Sequence, residues 1–272
     1  MKKIGNFLFS FTPFLCGMAL QFVIVFYFMF LASFTFPLLV PNGNLDNLWI
    51  DLDFNTLLSI VWSVTCSVFF GIWYYRSCGG DYKLNLKKDF HPLQLAGLVV
   101  LVPATQLATS VLIGIISTIF PQWLEDYQEL MESAGMGNDI SILMMIYSVC
   151  LAPFSEEFIF RGVTMRLARR AFPFWFANIL QAFLFGVFHM NMLQGCYAFA
   201  LGLILGYVCE KGGSIYYSIL FHFLYNLWGT TSSWMNTLPE ATLSALILFG
   251  TFVLLPAGFV IFQQGINKKE HP

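Results

Sequence analysis

The stretch SILMMIYSVCLAPFSEEFIFRGVTMRLARR, residues 141–170, decides how this chain is read. From Ile142 to Met165 it is apolar enough to cross a bilayer, yet Glu156, Glu157 and Arg161 sit inside it. Ionisable side chains at membrane depth are costly and rare unless they have a task. Arg166, Arg169 and Arg170 then close the segment, as basic residues do at a cytoplasmic boundary.

The chain around it has the same character. Of 272 residues, 58% are hydrophobic and only 10% charged, against about 25% charged in an ordinary soluble domain. A spanning helix takes about 20 mostly apolar residues. Eight segments qualify: 10–36, 55–75, 92–120, 141–165, 173–191, 194–210, 214–236 and 241–264. The expected fold is an all-α, polytopic transmembrane helical bundle of about eight spans, a single integral membrane domain over residues 1–272.

Charge gives the orientation. Lys2 and Lys3 precede the first segment; Arg76, Lys83, Lys87 and Lys88 follow the second; Arg166, Arg169 and Arg170 follow the fourth. Lys211 follows the sixth, and Lys268 and Lys269 follow the eighth. Every Lys and Arg except Arg161 thus lies in alternate connections, while the opposite ones hold acids such as Asp46, Asp51, Glu125, Asp126, Glu129, Glu132 and Asp139. Basic residues accumulate on the cytoplasmic side, so both termini are expected there. The first apolar run is longer than the core of a cleaved leader, and it is expected to be retained.

Other classes find little support. The six cysteines, Cys16, Cys66, Cys78, Cys150, Cys196 and Cys209, have neither a disulfide nor a metal-cage pattern. A net charge of −2 without a basic patch gives no indication of nucleic-acid binding. No internal repeat suggests a transporter built from inverted halves. The segment from Trp123 to Gly137 sets Trp123, Tyr127, Leu130 and Met131 opposite Glu125, Glu129 and Glu132. It reads either as an amphipathic helix at the membrane interface or as an ordinary connecting helix.

Three spaced patterns carry the chemistry. Glu157 and Arg161, one helical turn apart, can pair, whereas Glu156 points about 100° away toward another neighbour. One carboxylate is then in excess, and a desolvated carboxylate is a competent general base. Pro153 removes the hydrogen bond otherwise donated to the Val149 carbonyl and favours a kink. Gly162, Gly186, Gly202 and Gly206 allow close helix approach. On the fifth segment His189 can hold and deprotonate a water together with Glu156. On the seventh, His222 and Asn226 are four residues apart on one face and can donate to a carbonyl oxygen as it becomes an oxyanion.

Each piece also has a plainer reading. Glu157–Arg161 is first of all a structural ion pair, a lone His or Asn in a membrane helix is often interhelical glue, and Phe185 packs against the His189 ring. Gln181, Asn191, Gln194 and Tyr197 lie nearby without an assigned role. The occurrence of three patterns in order on three segments favours a site.

Glu-Glu-x-x-x-Arg at 156–161, Phe-x-x-x-His at 185–189 and His-x-x-x-Asn at 222–226 resemble the three motifs of the CPBP intramembrane proteases, also called the CAAX protease and bacteriocin-processing or Abi family. The resemblance covers roughly residues 136–230, taken as the catalytic core. It implies an eight-span endopeptidase in which Glu156 and His189 activate water, His222 and Asn226 stabilise the oxyanion, and Glu157 and Arg161 support them. The implied substrate is a membrane-associated peptide or lipidated protein, including a CAAX-type tail, met among membrane lipids. No cofactor is expected. Zinc is the lesser alternative, because there is no His-Glu-x-x-His and Asn is a poor zinc ligand. The rival functions are an ion-coupled transporter and a non-catalytic scaffold or immunity protein. The expected location is a bacterial inner membrane, with cleavage near its cytoplasmic half.

Depth raises one difficulty. Counted at about 1.5 Å per residue from Arg170, Glu156 falls near mid-membrane, His222 toward the basic loops and His189 toward the other face. A shared depth requires the fourth helix to run through Arg170 and the fifth to start deep or tilt.

Overall fold

The computed structural model describes residues 2–41, 43–77, 90–136 and 140–270, without the side chains of Lys269 and Glu270. Cys78, Lys83, Lys87, Lys88, Gly137 and Asp139, used in the sequence reading, lie outside the described residues. There is no strand among the described residues.

The helices are α1 (Lys2–Phe9), α2 (Thr12–Leu39), α3 (Leu45–Trp49), α4 (Leu52–Ser77), α5 (Pro92–Ile119) and α6 (Pro121–Ser133). They continue as α7 (Ile142–Arg169), α8 (Phe174–Phe188), α9 (Met192–Gly212), α10 (Ile215–Thr231) and α11 (Glu240–Lys268). Among the described residues, six helical runs are long and apolar enough to cross a membrane: Lys2–Leu39, α4, α5, α7, α9 and α11. The protein is an integral membrane protein. The other two expected segments, 173–191 and 214–236, form α8 and α10 with 15 and 17 residues. At 1.5 Å per residue these cover about 22 and 25 Å, short of the ~30 Å hydrocarbon core.

Burial sorts the helices. Half of the apolar window of α7 is buried, against 6% of that in Lys2–Leu39. The first run therefore presents Phe22, Phe26, Phe30 and Phe34 outward, where lipid can cover them, and α7 is the central element. Trp62 of α4 donates from Nε1 to the Gly17 carbonyl on α2 at 3.1 Å. Ser63 Oγ lies 2.8 Å from both the Leu151 carbonyl and Ser155 Oγ, which ties α4 to α7 by polar contacts at membrane depth.

The hairpin α8/α9 depends on small residues. A Cβ on Gly206 would stand 1.8 Å from Asn178 Oδ1, and one on Gly186 would stand 2.6 Å from the Gly195 carbonyl oxygen. The close approach expected of these two glycines is present. Gln181 adds a crosslink by donating to the Gly202 carbonyl at 2.8 Å. The turn between the two helices is only His189, Met190 and Asn191. Met190 adopts a left-handed φ of 57°, and Asn191 caps α9 by accepting from the Gln194 N–H at 2.9 Å.

The basic residues gather at one end of the bundle. Arg166 and Arg169 meet Glu210 at 3.0 and 3.3 Å, and Arg170 donates to the Ser77 carbonyl. Above that end lies a dense layer that includes Phe70, Leu101, Met165, Leu205, Tyr217 and Phe262, all buried.

Candidate active site

The site begins with an irregularity in α7. This helix contains two wide π-helical stretches, Ile146–Leu151 and Phe158–Thr164, of a kind that often marks functional positions. In the first, the Ala152 N–H reaches back five residues to the Tyr147 carbonyl. The next donor in that register would be residue 153, a proline without an N–H, so the Ser148 carbonyl is left open. Asn226 fills the gap by donating from Nδ2 to Ser148 O at 2.8 Å. The carbonyl affected by Pro153 is therefore that of Ser148. The expected Val149 assumed α-helical spacing, which the π turn shifts by one residue.

Asn226 thus bolts α10 to α7 where α7 is irregular. Its side-chain amide has two N–H groups, and since the residue also lines the cavity described below, the second is available for another acceptor.

Glu157 has more than the ion-pair role read from spacing. It meets Arg161 Nη1 at 2.9 Å, and the same Oε1 lies 2.9 Å from His222 Nδ1. Glu157 and Arg161 are both fully buried and His222 is 3% exposed, so the three form one desolvated chain across α7 and α10. Arg161 also lies 4.4 Å above the Phe185 ring, a cation–π contact that helps hold a buried guanidinium. Phe185 therefore packs against more than His189.

These partners set the state of both imidazoles. A carboxylate beside an Arg can only accept, so His222 Nδ1 carries a proton toward Glu157. His189 Nδ1 lies 2.8 Å from the Phe185 carbonyl, which likewise only accepts. In each neutral ring the second nitrogen, Nε2, is then the basic one. His222 Nε2 faces Glu156 Oε2 at 3.7 Å. This is too long for a direct hydrogen bond and close enough for one water to contact both groups.

Glu156, His189, His222 and Asn226 all line a single cavity of about 690 Å³. The groups that residue counting put at different depths therefore meet at one cavity. Unlike the expected segment 173–191, α8 stops at Phe188, so His189 ends a short helix inside the bundle. α7 runs through to Arg169, as a shared depth required.

Residues without an assigned role in the sequence take clear places. Gln181 and Asn191 are structural, through the crosslink and the cap given above. Gln194 and Tyr197 line the cavity, as does Tyr147, which bonds to Ser59. Helix α6, bounded at Pro121–Ser133 and so starting two residues before and ending four before the expected Trp123–Gly137, turns Tyr127, Leu130 and Met131 into the cavity. The Tyr127 hydroxyl lies 3.2 Å from that of Tyr197. The apolar stripe of this helix was legible in sequence, but its target was not, because a stripe does not say what it covers.

The arrangement offers a carboxylate and two basic ring nitrogens around a space that admits water, with the second N–H of the Asn226 amide at its wall. Such a set can activate water and bind a developing oxyanion. Among the described residues, no three His, Cys, Asp or Glu side chains are grouped to hold a metal ion. No curated protein and no solved structure matches the chain. Residues 138–228, which contain all three motifs, match the model of the family described as Rce1-like, type II CAAX prenyl endopeptidase Rce1-like, in agreement with the CPBP intramembrane protease resemblance of the motifs.

Proposed function

We propose that the protein is an intramembrane endopeptidase that hydrolyses a peptide bond of a membrane-associated peptide or a CAAX-type C-terminal tail. Glu156 takes the proton of a water oriented with His189, and the hydroxide attacks the scissile carbonyl. His222 and Asn226 donate to the oxyanion, and the proton held by Glu156 passes to the leaving amine. His222 donates from Nε2 in this step only when its ring is doubly protonated, because Nδ1 is committed to Glu157. The Glu157 carboxylate lies 2.9 Å from Nδ1, on the opposite edge of the ring from the cavity. Glu157 and Arg161 are positioning residues.

The observation that carries this reading is the convergence of Glu156, His189, His222 and Asn226, from α7, the end of α8 and α10, on one cavity. Hydrolysis is read as metal-free because, among the described residues, the donors do not form a metal-ligand group and Asn226 is a poor zinc ligand. The same reading takes the bundle to cross a bacterial inner membrane eight times, with both termini cytoplasmic, as the distribution of Lys and Arg favours.

Comparative peptidomics of membranes carrying the intact chain or its Glu156→Gln variant tests the proposal. A product peptide present with the first and absent with the second is expected. Equal product with both would remove Glu156 from the mechanism.

A further inference from the structure

The catalytic cavity is not placed symmetrically between the two ends of the bundle. On α4 it is lined by Asn55, Leu58, Ser59 and Trp62, near the start of a helix that ends at Arg76 and Ser77. On α7 the lining residues run from Tyr147 to Glu156, and none comes from the Arg166–Arg169 end. On α9 they are Gln194, Tyr197, Ala198 and Leu201, in the half away from Lys211. On α10, which begins just after the Lys211 end, they are His222, Tyr225, Asn226, Gly229 and Thr230. Gln106, Thr109 and Ile113 of α5 belong to the half that leads into α6.

α4, α5, α7, α9 and α10 thus line the cavity mainly with the half that points away from the basic residues, α8 adds Phe185, Phe188 and His189 at its end, and α2 adds Gln21, Ile24 and Val25 from nearer its middle, while α11 adds none. The connections at that end, 40–51, 120–141, 189–191 and 232–239, contain no Lys or Arg. In the opposite direction the path is blocked. Directly below the catalytic groups lie Arg161, Met165, Leu205, Val208, Ser218 and Phe221, all fully buried. The amphipathic helix α6 stands at the other end, and Tyr127, Leu130 and Met131 form part of the cavity wall there.

Because basic loops mark the cytoplasmic side, we infer that the cavity admits its substrate from the non-cytoplasmic face, past α6. Its substrate is then a membrane-associated peptide presented on that face, and not a cytosolic C-terminal tail. The substrate part of this inference rests on the protease reading; the sidedness does not. It reverses the expectation of cleavage near the cytoplasmic half. Counting residues along single helices scattered Glu156, His189 and His222 over different depths and could not show which half of each helix faces a cavity.

Thiol labelling in sealed vesicles tests it. Thr230→Cys and Met131→Cys line the cavity, and Lys211→Cys marks the basic end. Each is placed in the full chain, and a membrane-impermeant maleimide is applied to right-side-out or inverted vesicles. Label is counted as the gain over the parent, which has its own cysteines. The cavity positions are expected to gain label in right-side-out vesicles, and Lys211→Cys only in inverted ones. Cavity positions that label from the same side as Lys211→Cys, or from neither side while Lys211→Cys labels, would overturn the inference. Glu156-dependent product peptides are expected to derive from segments on the non-cytoplasmic face, and products from cytosolic tails would overturn the substrate class. Labelling needs no substrate, so a chain that labels as expected but yields no Glu156-dependent product fails the protease reading alone.

Discussion

Glu157 allows the sharpest test of how the site is built, because its one oxygen Oε1 serves two partners, Arg161 and His222, at 2.9 Å each. Glu157→Leu removes the acceptor of both. It strands the Arg161 charge in a fully buried place, and breaking one side of a buried pair costs about 3–5 kcal/mol. That variant alone confounds unfolding with lost chemistry. Adding Arg161→Met removes the stranded charge, and replacing a buried pair by apolar residues of similar volume is often neutral. Unfolding of the detergent-solubilised double variant is therefore expected within about 1–2 kcal/mol of the parent. Activity should not return with stability, since His222 still lacks the acceptor that fixes its tautomer. Loss of such an orienting partner typically costs about 10–100-fold or more, so at least that drop is expected in the rate of the Glu156-dependent product. Glu157→Gln with Arg161→Met keeps a carbonyl acceptor for Nδ1 and should recover part of the rate. A stable Glu157→Leu/Arg161→Met chain with parental turnover would show that Glu157 only neutralises Arg161, and the positioning role would be wrong.

Further expectations concern the scaffold. Asn226→Ala leaves the Ser148 carbonyl without its 2.8 Å partner and is expected to cost about 1–3 kcal/mol. Pro153→Ala restores an N–H in the register of that carbonyl, so in the Asn226→Ala background it should return part of the loss; additive effects in a double-mutant cycle would refute the pairing. Gly206→Ala puts a methyl group 1.8 Å from Asn178 Oδ1 and should destabilise by about 1–3 kcal/mol. Gly114→Ala, with nothing within 4 Å, should leave thermal unfolding of the solubilised protein within about 0.5 kcal/mol. Tyr127→Phe removes the 3.2 Å contact with Tyr197 that joins α6 to α9. It should speed amide exchange in α6 while leaving α7 unchanged, and equal exchange in α6 would show that this contact does not hold the helix.

The sequence disclosed the architecture to different degrees along the chain, and for physical reasons. The runs that became α2, α4, α5, α7, α9 and α11 were legible because twenty or more consecutive apolar residues in one helix point to a bilayer. The shortness of α8 and α10 was hidden, since a run such as Phe174–Phe188 is equally apolar whether lipid or protein surrounds it. Glu156, His189, His222 and Asn226 were found by spacing, and the structure sets all four on one cavity. The second partner of Glu157 lies 65 residues away on another helix, and no local pattern could indicate it. The π turns of α7 escaped for a related reason: i,i+4 reasoning presumes the register that Pro153 and the wide turns disturb. The roofing place of α6 depends on tertiary packing, so its stripe remained ambiguous between membrane and protein.

The proposed hydrolysis depends on Glu156 activating water in the cavity. The most direct measurement is cleavage of the precursor peptide by the purified chain in detergent after exhaustive chelation, with metal content determined on the same sample, beside Glu156→Gln. The expected result is cleavage by the metal-depleted parent and none by a variant that unfolds at the parental temperature. Full cleavage by Glu156→Gln, or a parent whose activity vanishes on chelation and returns with added zinc, would contradict it.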